Sequence, residues 1–195
     1  MSDLLSGLDA DPALAAAVLE IEEHVASLGW DQPARLYALV DTARLAAQEP
    51  TLAEAVGLTE PSAQGSLTAV EQDQLRPDQP LEGVLEQIVW PAEVTGCAAV
   101  VERLVLPPGA DTDLPEDPVA AEEFARDHPD RQEVRIVAGA TRAGSTYCAL
   151  RLRAHDDAQS VVAGIDLVPV LLQLLVSTLD EPDEPDVPDE PEEAP

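Results

Sequence analysis

Between Asp11 and Leu28 the apolar residues Leu14, Val18, Ile21, Val25 and Leu28 recur every three or four positions, the spacing of one helical face. Asp11 stands before the stripe as an N-cap, and Pro12 suits a first turn, where its missing N–H costs nothing. Gly29 follows as the residue that stops the helix. Glu20, Glu22 and Glu23 fall off the stripe and are assigned to solvent; His24, at its edge, reads as a partly buried structural residue. In "ARLYALV" the period shortens to two, with Leu36, Ala38 and Val40 on one side and Arg35, Tyr37 and Leu39 on the other. A helical reading of Leu36, Leu39, Val40, Ala43 and Ala47 competes with it. Asp41-Thr42 makes a good N-cap before "ARLAAQEP", so the preferred pattern is a strand over 34–40 turning into a helix over 42–48.

Residues 57–80 are polar and broken by Pro and Gly, with one short candidate strand at 67–71, and a helix is expected over 81–89. "GCAAVVERLVL" predicts a well-buried strand over 97–106, stopped by Pro107-Pro108. An acidic, Pro-rich surface excursion fills 107–131, with a short helix near 119–126. "QEVRIVAGA" and "TYCALRLRA" form the clearest hairpin, its turn supplied by Gly144. In the second strand Tyr147, Ala149, Arg151 and Arg153 face one way, and Cys148, Leu150 and Leu152 the other. The last element, 166–179, takes Asp166 as its cap and is apolar around nearly its whole circumference, which predicts burial on more than one side. The implied fold class is α+β, an antiparallel sheet of four to five strands with N- and C-terminal helices packed on it. One domain is expected over 1–179, followed by a tail over 180–195.

Charge narrows the functional classes. Thirty-nine acids face ten basic residues, all Arg, for a formal net charge of −29. Direct nucleic-acid binding is disfavoured, because it needs a clustered basic face, and the few aromatic residues leave little stacking surface for single strands. Nine of the acids lie in 180–195, so residues 1–179 alone carry −20. That tail reads as disordered by composition, and Pro182, Pro185, Pro188 and Pro191 would share one edge of a polyproline II rod. Cys97 and Cys148 lack metal-ligand spacing and are expected as reduced core residues. The start "MSDLLSGLDADP" has no signal-peptide pattern and no apolar run reaches the ~20 residues of a membrane helix, which points to the cytoplasm and away from the membrane.

No catalytic constellation emerges. "AGATRAG" is better explained by the hairpin than by phosphate binding, and His24, His128 and His155 do not share a metal-binding spacing. His155-Asp156-Asp157 could orient an imidazole, but a polar turn after a strand explains it more simply. Neither a cofactor nor a metal site is expected. The residues left without a structural task are Arg35 and Tyr37, and with Trp30, Arg151 and His155 they form the candidate binding surface. The leading expectation is a non-enzymatic, acidic protein-interaction or adaptor module for basic partners. A dispersed enzyme or small-ligand site and a nucleic-acid mimic are the alternatives, and the helix over 166–179 would also suit a homo-oligomer contact.

Three stretches, "GWDQPARLYALVDT", "WPAEVTGCAAVVERLVLPP" and "RQEVRIVAGATRAGSTYCALRLRAHDD…GIDLVPVLLQLLVSTL", resemble a family of actinobacterial cytosolic proteins of unknown function. The resemblance covers most of 11–179 and implies an actinobacterial source. It carries no activity, cofactor or catalytic residue, and the acidic tail lies outside it.

Overall fold

A computed structural model describes residues 10–51, 65–72, 75, 79–107 and 115–180. The expected tail beyond Asp180, the first part of the acidic excursion at 108–114 and most of the polar 57–80 segment lie outside these residues. The elements run α1 (Pro12–Ser27), β1 (Arg35–Asp41), α2 (Thr42–Gln48), β2 (Leu67–Glu71), α3 (Leu81–Leu85), β3 (Gly96–Val105), α4 (Pro118–Asp127), β4 (Gln132–Thr141), β5 (Thr146–Leu152), β6 (Val162–Gly164) and α5 (Pro169–Thr178).

Six strands form one sheet in the order β2-β1-β3-β4-β5-β6, and every neighbouring pair is antiparallel. The four or five strands expected become six because β6 holds only three residues, too few for a period to register. Both faces of the sheet are covered. On one, α1 lays Leu14, Ala17, Val18, Ile21 and Val25 against Tyr37, Leu39, Ala98, Val100, Val137 and Ala149. On the other, Leu81 and Leu85 of α3, Trp90, and Leu172, Leu175 and Leu179 pack on Leu36, Ala38, Cys97, Ala99, Ile136 and Ala138. Such two-sided cover explains why "GCAAVV" and "VAGA" read as apolar runs rather than alternations.

Local chemistry sets the boundaries. Asp11 Oδ1 accepts from the N–H groups of Ala13 at 2.9 Å and Leu14 at 3.3 Å, and Gly29, at φ +85°, ends α1 as its sequence position implies. Helix α1 can approach β4 because Gly139 has no side chain: a Cβ there would stand 2.8 Å from Val18 Cγ2 and 3.1 Å from Leu14 Cδ1. At the hairpin, Gly144 takes φ +85° and donates to Thr141 O at 2.9 Å.

Other expectations need correction. Helix α3 stops at Leu85, short of residue 89, because Gln87 and Ile88 donate to the third residue back and Pro91 disfavours helix at Trp90. Helix α5 starts at Pro169, with Val168 held out of the helical region by the proline ring, so Asp166 does not cap it. The second half of β3 is exposed from Arg103 onward, since neither α1 nor α5 reaches it. His24 is exposed, and Glu22 is buried. Helix α5 buries Leu172, Leu175 and Thr178 between the sheet and α3, while Val170 stays 72% exposed. Its all-round apolar character is thus only partly used.

One arginine fastens the α5 side. Arg142, in the hairpin turn, donates through Nε to Val94 O at 2.8 Å, through Nη2 to Trp90 O at 2.9 Å, and through Nη1 to Leu179 O at the end of α5. It thereby ties the C-cap carbonyl of α5, at Leu179, to two carbonyls of the loop before β3. Cys97 and Cys148 are both free and buried; β4 runs between their strands, with Cys97 opposite Ala140 and Cys148 opposite Ala138.

Candidate functional site

The five candidate residues divide between two places. Trp30, on the turn between α1 and β1, packs against two guanidinium groups: Arg135 lies 4.3 Å and Arg153 5.6 Å from its ring centroid. Its indole N–H donates to Asp156 Oδ2 at 2.9 Å. It therefore holds an ionic junction together. Arg135 is fully buried and binds Glu102 Oε1 through Nη2 at 2.8 Å and Gly29 O through the same nitrogen. Strand register puts Glu102, Arg135 and Arg151 side by side across β3, β4 and β5.

Arg151 completes this network through a two-pronged pair with Glu22 of α1, at 2.6 and 2.8 Å, both side chains being about 95% buried. The planar fork suits a carboxylate at two points, and it ties the helix to the sheet. Arg153 holds Asp31 in the same manner, at 2.9 Å on each oxygen, and Glu133 at 2.5 Å. The Arg153 hydrogen bond keeps the Asp31 carboxyl below its ordinary range. Asp31, at φ +65°, also donates its N–H to Glu102 Oε2 at 2.8 Å. Asp157 caps the following 3-10 turn through Gln159 N and Ser160 Oγ, and the Ser160 hydrogen bond lowers its pKa. His155 is exposed and makes no hydrogen bond or ion pair among the described residues. This end of the molecule is an interlocking structural joint in which each of the three arginines is paired with at least one carboxylate.

Arg35 and Tyr37 lie elsewhere: Tyr37 lines a cleft of about 570 Å³ between α1 and the edge strand β2, and Arg35 is paired with Glu71 of its lining. Glu20, Ile21 and His24 of α1 form one wall; Leu67, Ala69 and Glu71 of β2 form the other. Tyr37 lines the floor at 3% exposure, and Thr42 and Thr68 close one end through a 2.9 Å hydroxyl contact. Arg35 reaches Glu71 Oε1 through Nη1 at 2.5 Å. Its Nε and the Tyr37 hydroxyl are buried and find no hydrogen-bond partner of good geometry. Burial first, and then the Glu71 carboxylate, hold the Tyr37 hydroxyl above its ordinary pKa, so it stays protonated. The described lining has two carboxylates, several hydroxyls and an apolar base, and His24 is its one basic side chain.

Sequence pattern alone does not mark Glu22, Glu102, Arg135 and Asp156 as partners, nor the α1–β2 cleft as a place. Glu22 carried a signal, since it stands four residues after Val18 and three before Val25, on the flank of the apolar stripe. The cleft carried none, because its walls are more than forty positions apart. Among the described residues no cluster of His, Cys, Asp and Glu is arranged to hold a metal ion, and no helix is long and apolar enough to cross a membrane.

The sequence matches the family model described as PPA1309-like protein over residues 14–180, and the chain belongs to that family. The match spans all six strands and α5 and nearly all of α1, so joint and cleft both fall inside it. No curated protein and no solved structure matches the chain.

Proposed function

We propose that this PPA1309-like protein is a non-enzymatic interaction module that holds a basic partner protein at the cleft between α1 and β2. The observation that carries this reading is the cleft itself. It adjoins an edge strand, has an apolar base at Ile21, Leu67 and Ala69, and is rimmed by Glu20 and by Glu71, the latter paired with Arg35. A net charge of −29 draws basic surfaces toward it by a field that salt screens. The Trp30 joint is set aside as a site because all three of its arginines are already held by carboxylates of the fold.

Capture from native extract on the immobilised protein tests this reading. The expected result is a basic protein retained at low ionic strength, released as salt rises, and lost from a Glu20→Arg variant. Retention of nothing, or equal retention by the variant, overturns it. A second reading, a small-ligand site, rests on the two unpartnered donors beside a cleft whose volume falls within the ~300–1,000 Å³ of ligand pockets. A small molecule that raises the unfolding temperature of the wild type but not of Tyr37→Phe would favour it.

A further inference from the structure

We propose that the outer edge of β2 accepts one extended, basic segment of the partner as a seventh strand, laid along the cleft beside α1. This rests on the interaction reading above and specifies its mode. The register of β2 supplies the first argument. Thr42 N–H donates to Ser66 O at 3.0 Å and Gln72 N–H to Leu36 O at 2.8 Å. Hydrogen-bonded pairs alternate along an antiparallel ladder, so Thr68 and Val70 also turn their backbone groups inward to β1, and Leu67, Ala69 and Glu71 turn theirs outward. Among the described residues those outward groups meet no other strand. The edge also lacks the lysine, proline or bulge by which sheets commonly blunt such edges.

The second argument is the position of the cleft. The side chains of Leu67, Ala69 and Glu71 point to the α1 face, where they line it. A strand added outside β2 would lie about 4.8 Å away and place alternate side chains on that same face. Backbone pairing would give affinity and the cleft would select those side chains, which is how strand addition divides its work. The opposite edge is a poorer template, since β6 offers three residues to β2's five.

Charge chooses the occupant. Glu20, exposed on α1 and without an ion pair among the described residues, favours arginine or lysine at the position facing α1, while Glu71 already holds Arg35. A second copy of this chain brings another −29, and the chain's own residues 180–195 bring nine acids, so both are repelled.

The test uses the full chain and a short labelled peptide alternating arginine with valine, followed by fluorescence anisotropy. A second peptide has the same side chains but N-methyl groups on alternate backbone amides, which keeps its charge and removes its ladder donors. The Ala69→Pro variant removes an outward N–H and leaves the inward ladder intact, as edge proline does. Expected is saturable binding by wild type, weakened about tenfold or more by N-methylation and by Ala69→Pro, and several-fold by Glu20→Gln. Equal binding of both peptides overturns strand addition while leaving a basic partner in place; absence of binding by either at low salt overturns the interaction reading as well. A wild-type dimer that Ala69→Pro converts to monomer would give the edge to a second copy and overturn the proposal. Should Ala69→Pro fail to fold, the pair of peptides on wild type decides alone.

Discussion

Arg151 and Glu22 are the residues on which the helix–sheet contact is most exposed to single changes. Both are about 95% buried and each is the other's main counter-charge. Removing one partner strands the other ion in a region that water cannot reach, which costs about 3–5 kcal/mol, whereas replacing both by apolar groups of similar size is often neutral. Glu22→Ala is therefore expected to lose about 3–5 kcal/mol in urea unfolding, and Glu22→Leu combined with Arg151→Met to recover most of it. A double variant as weak as the single would sink this account. Tyr37 gives the opposite expectation. Its hydroxyl is buried and makes no hydrogen bond of good geometry, so Tyr37→Phe should leave stability within about 0.5 kcal/mol of wild type or raise it, since deleting a poorly satisfied polar group removes a desolvation cost. A loss above about 1 kcal/mol would show that the hydroxyl has a partner. Asp31 adds a pH dependence. Arg153 depresses its folded pKa below 3.8, so its contribution is present above 3.8 and lost as pH falls through the folded value. The stability gap between wild type and Asp31→Asn should accordingly close in urea titrations carried to lower pH.

Among the elements, α1 and β4 meet at a distance set by Gly139. A Cβ there would intrude on Val18 and Leu14, both fully buried. Gly139→Val should cost about 1–3 kcal/mol by overpacking, and a companion Val18→Ala should return part of it; additive losses in the pair would point to another cause. On the opposite face, Cys97 lies under α5, 3.6 Å from Leu175 O, and burial pushes its thiol up to about 11. The unfolded thiol ionises first, near 9.0, so stability falls as pH rises from about 9 to about 11. At pH 8 a thiol reagent should label Cys97 only as fast as the protein unfolds, and rapid native labelling would refute the burial. These elements also show what could be read in advance. Helix α1 was legible because Asp11, Pro12 and Gly29 mark its ends chemically, and the two faces of β1 and β5 were legible because their period is two. Strand β6 is too short to show a period, and the start of α5 is obscured because a plausible cap, Asp166, competes with the constraint that Pro169 places on Val168. Of the candidate residues, Trp30 and Arg151 come together only because α1, β4 and β5 converge, with Glu22 and Arg151 separated by 129 positions. No local spacing encodes that contact, nor the cleft that Tyr37 shares with β2.

At the scale of the whole molecule the dominant quantity is charge. With −29 on 195 residues, folding gathers like charges that the unfolded chain keeps farther apart. The ion pairs of Arg151, Arg153 and Arg135 offset only part of this, because ten arginines cannot match thirty-nine acids. Repulsion between exposed charges weakens as the screening length falls from about 30 Å at 0.01 M to about 8 Å at 0.15 M salt, while the buried Glu22–Arg151 pair is screened little. Stability should therefore rise with sodium chloride over that range, the reverse of a protein held by surface ion pairs. Eight of the acids lie in 181–195, so a chain ending at Asp180 carries −21 and should show a shallower rise if those residues take part in the repulsion. The partner equilibrium has the opposite sign, because the field that opposes folding also attracts a basic segment and salt weakens both. Urea midpoints and peptide anisotropy measured across one salt series should move in opposite directions, and parallel movement would show that the same charges do not govern the two processes.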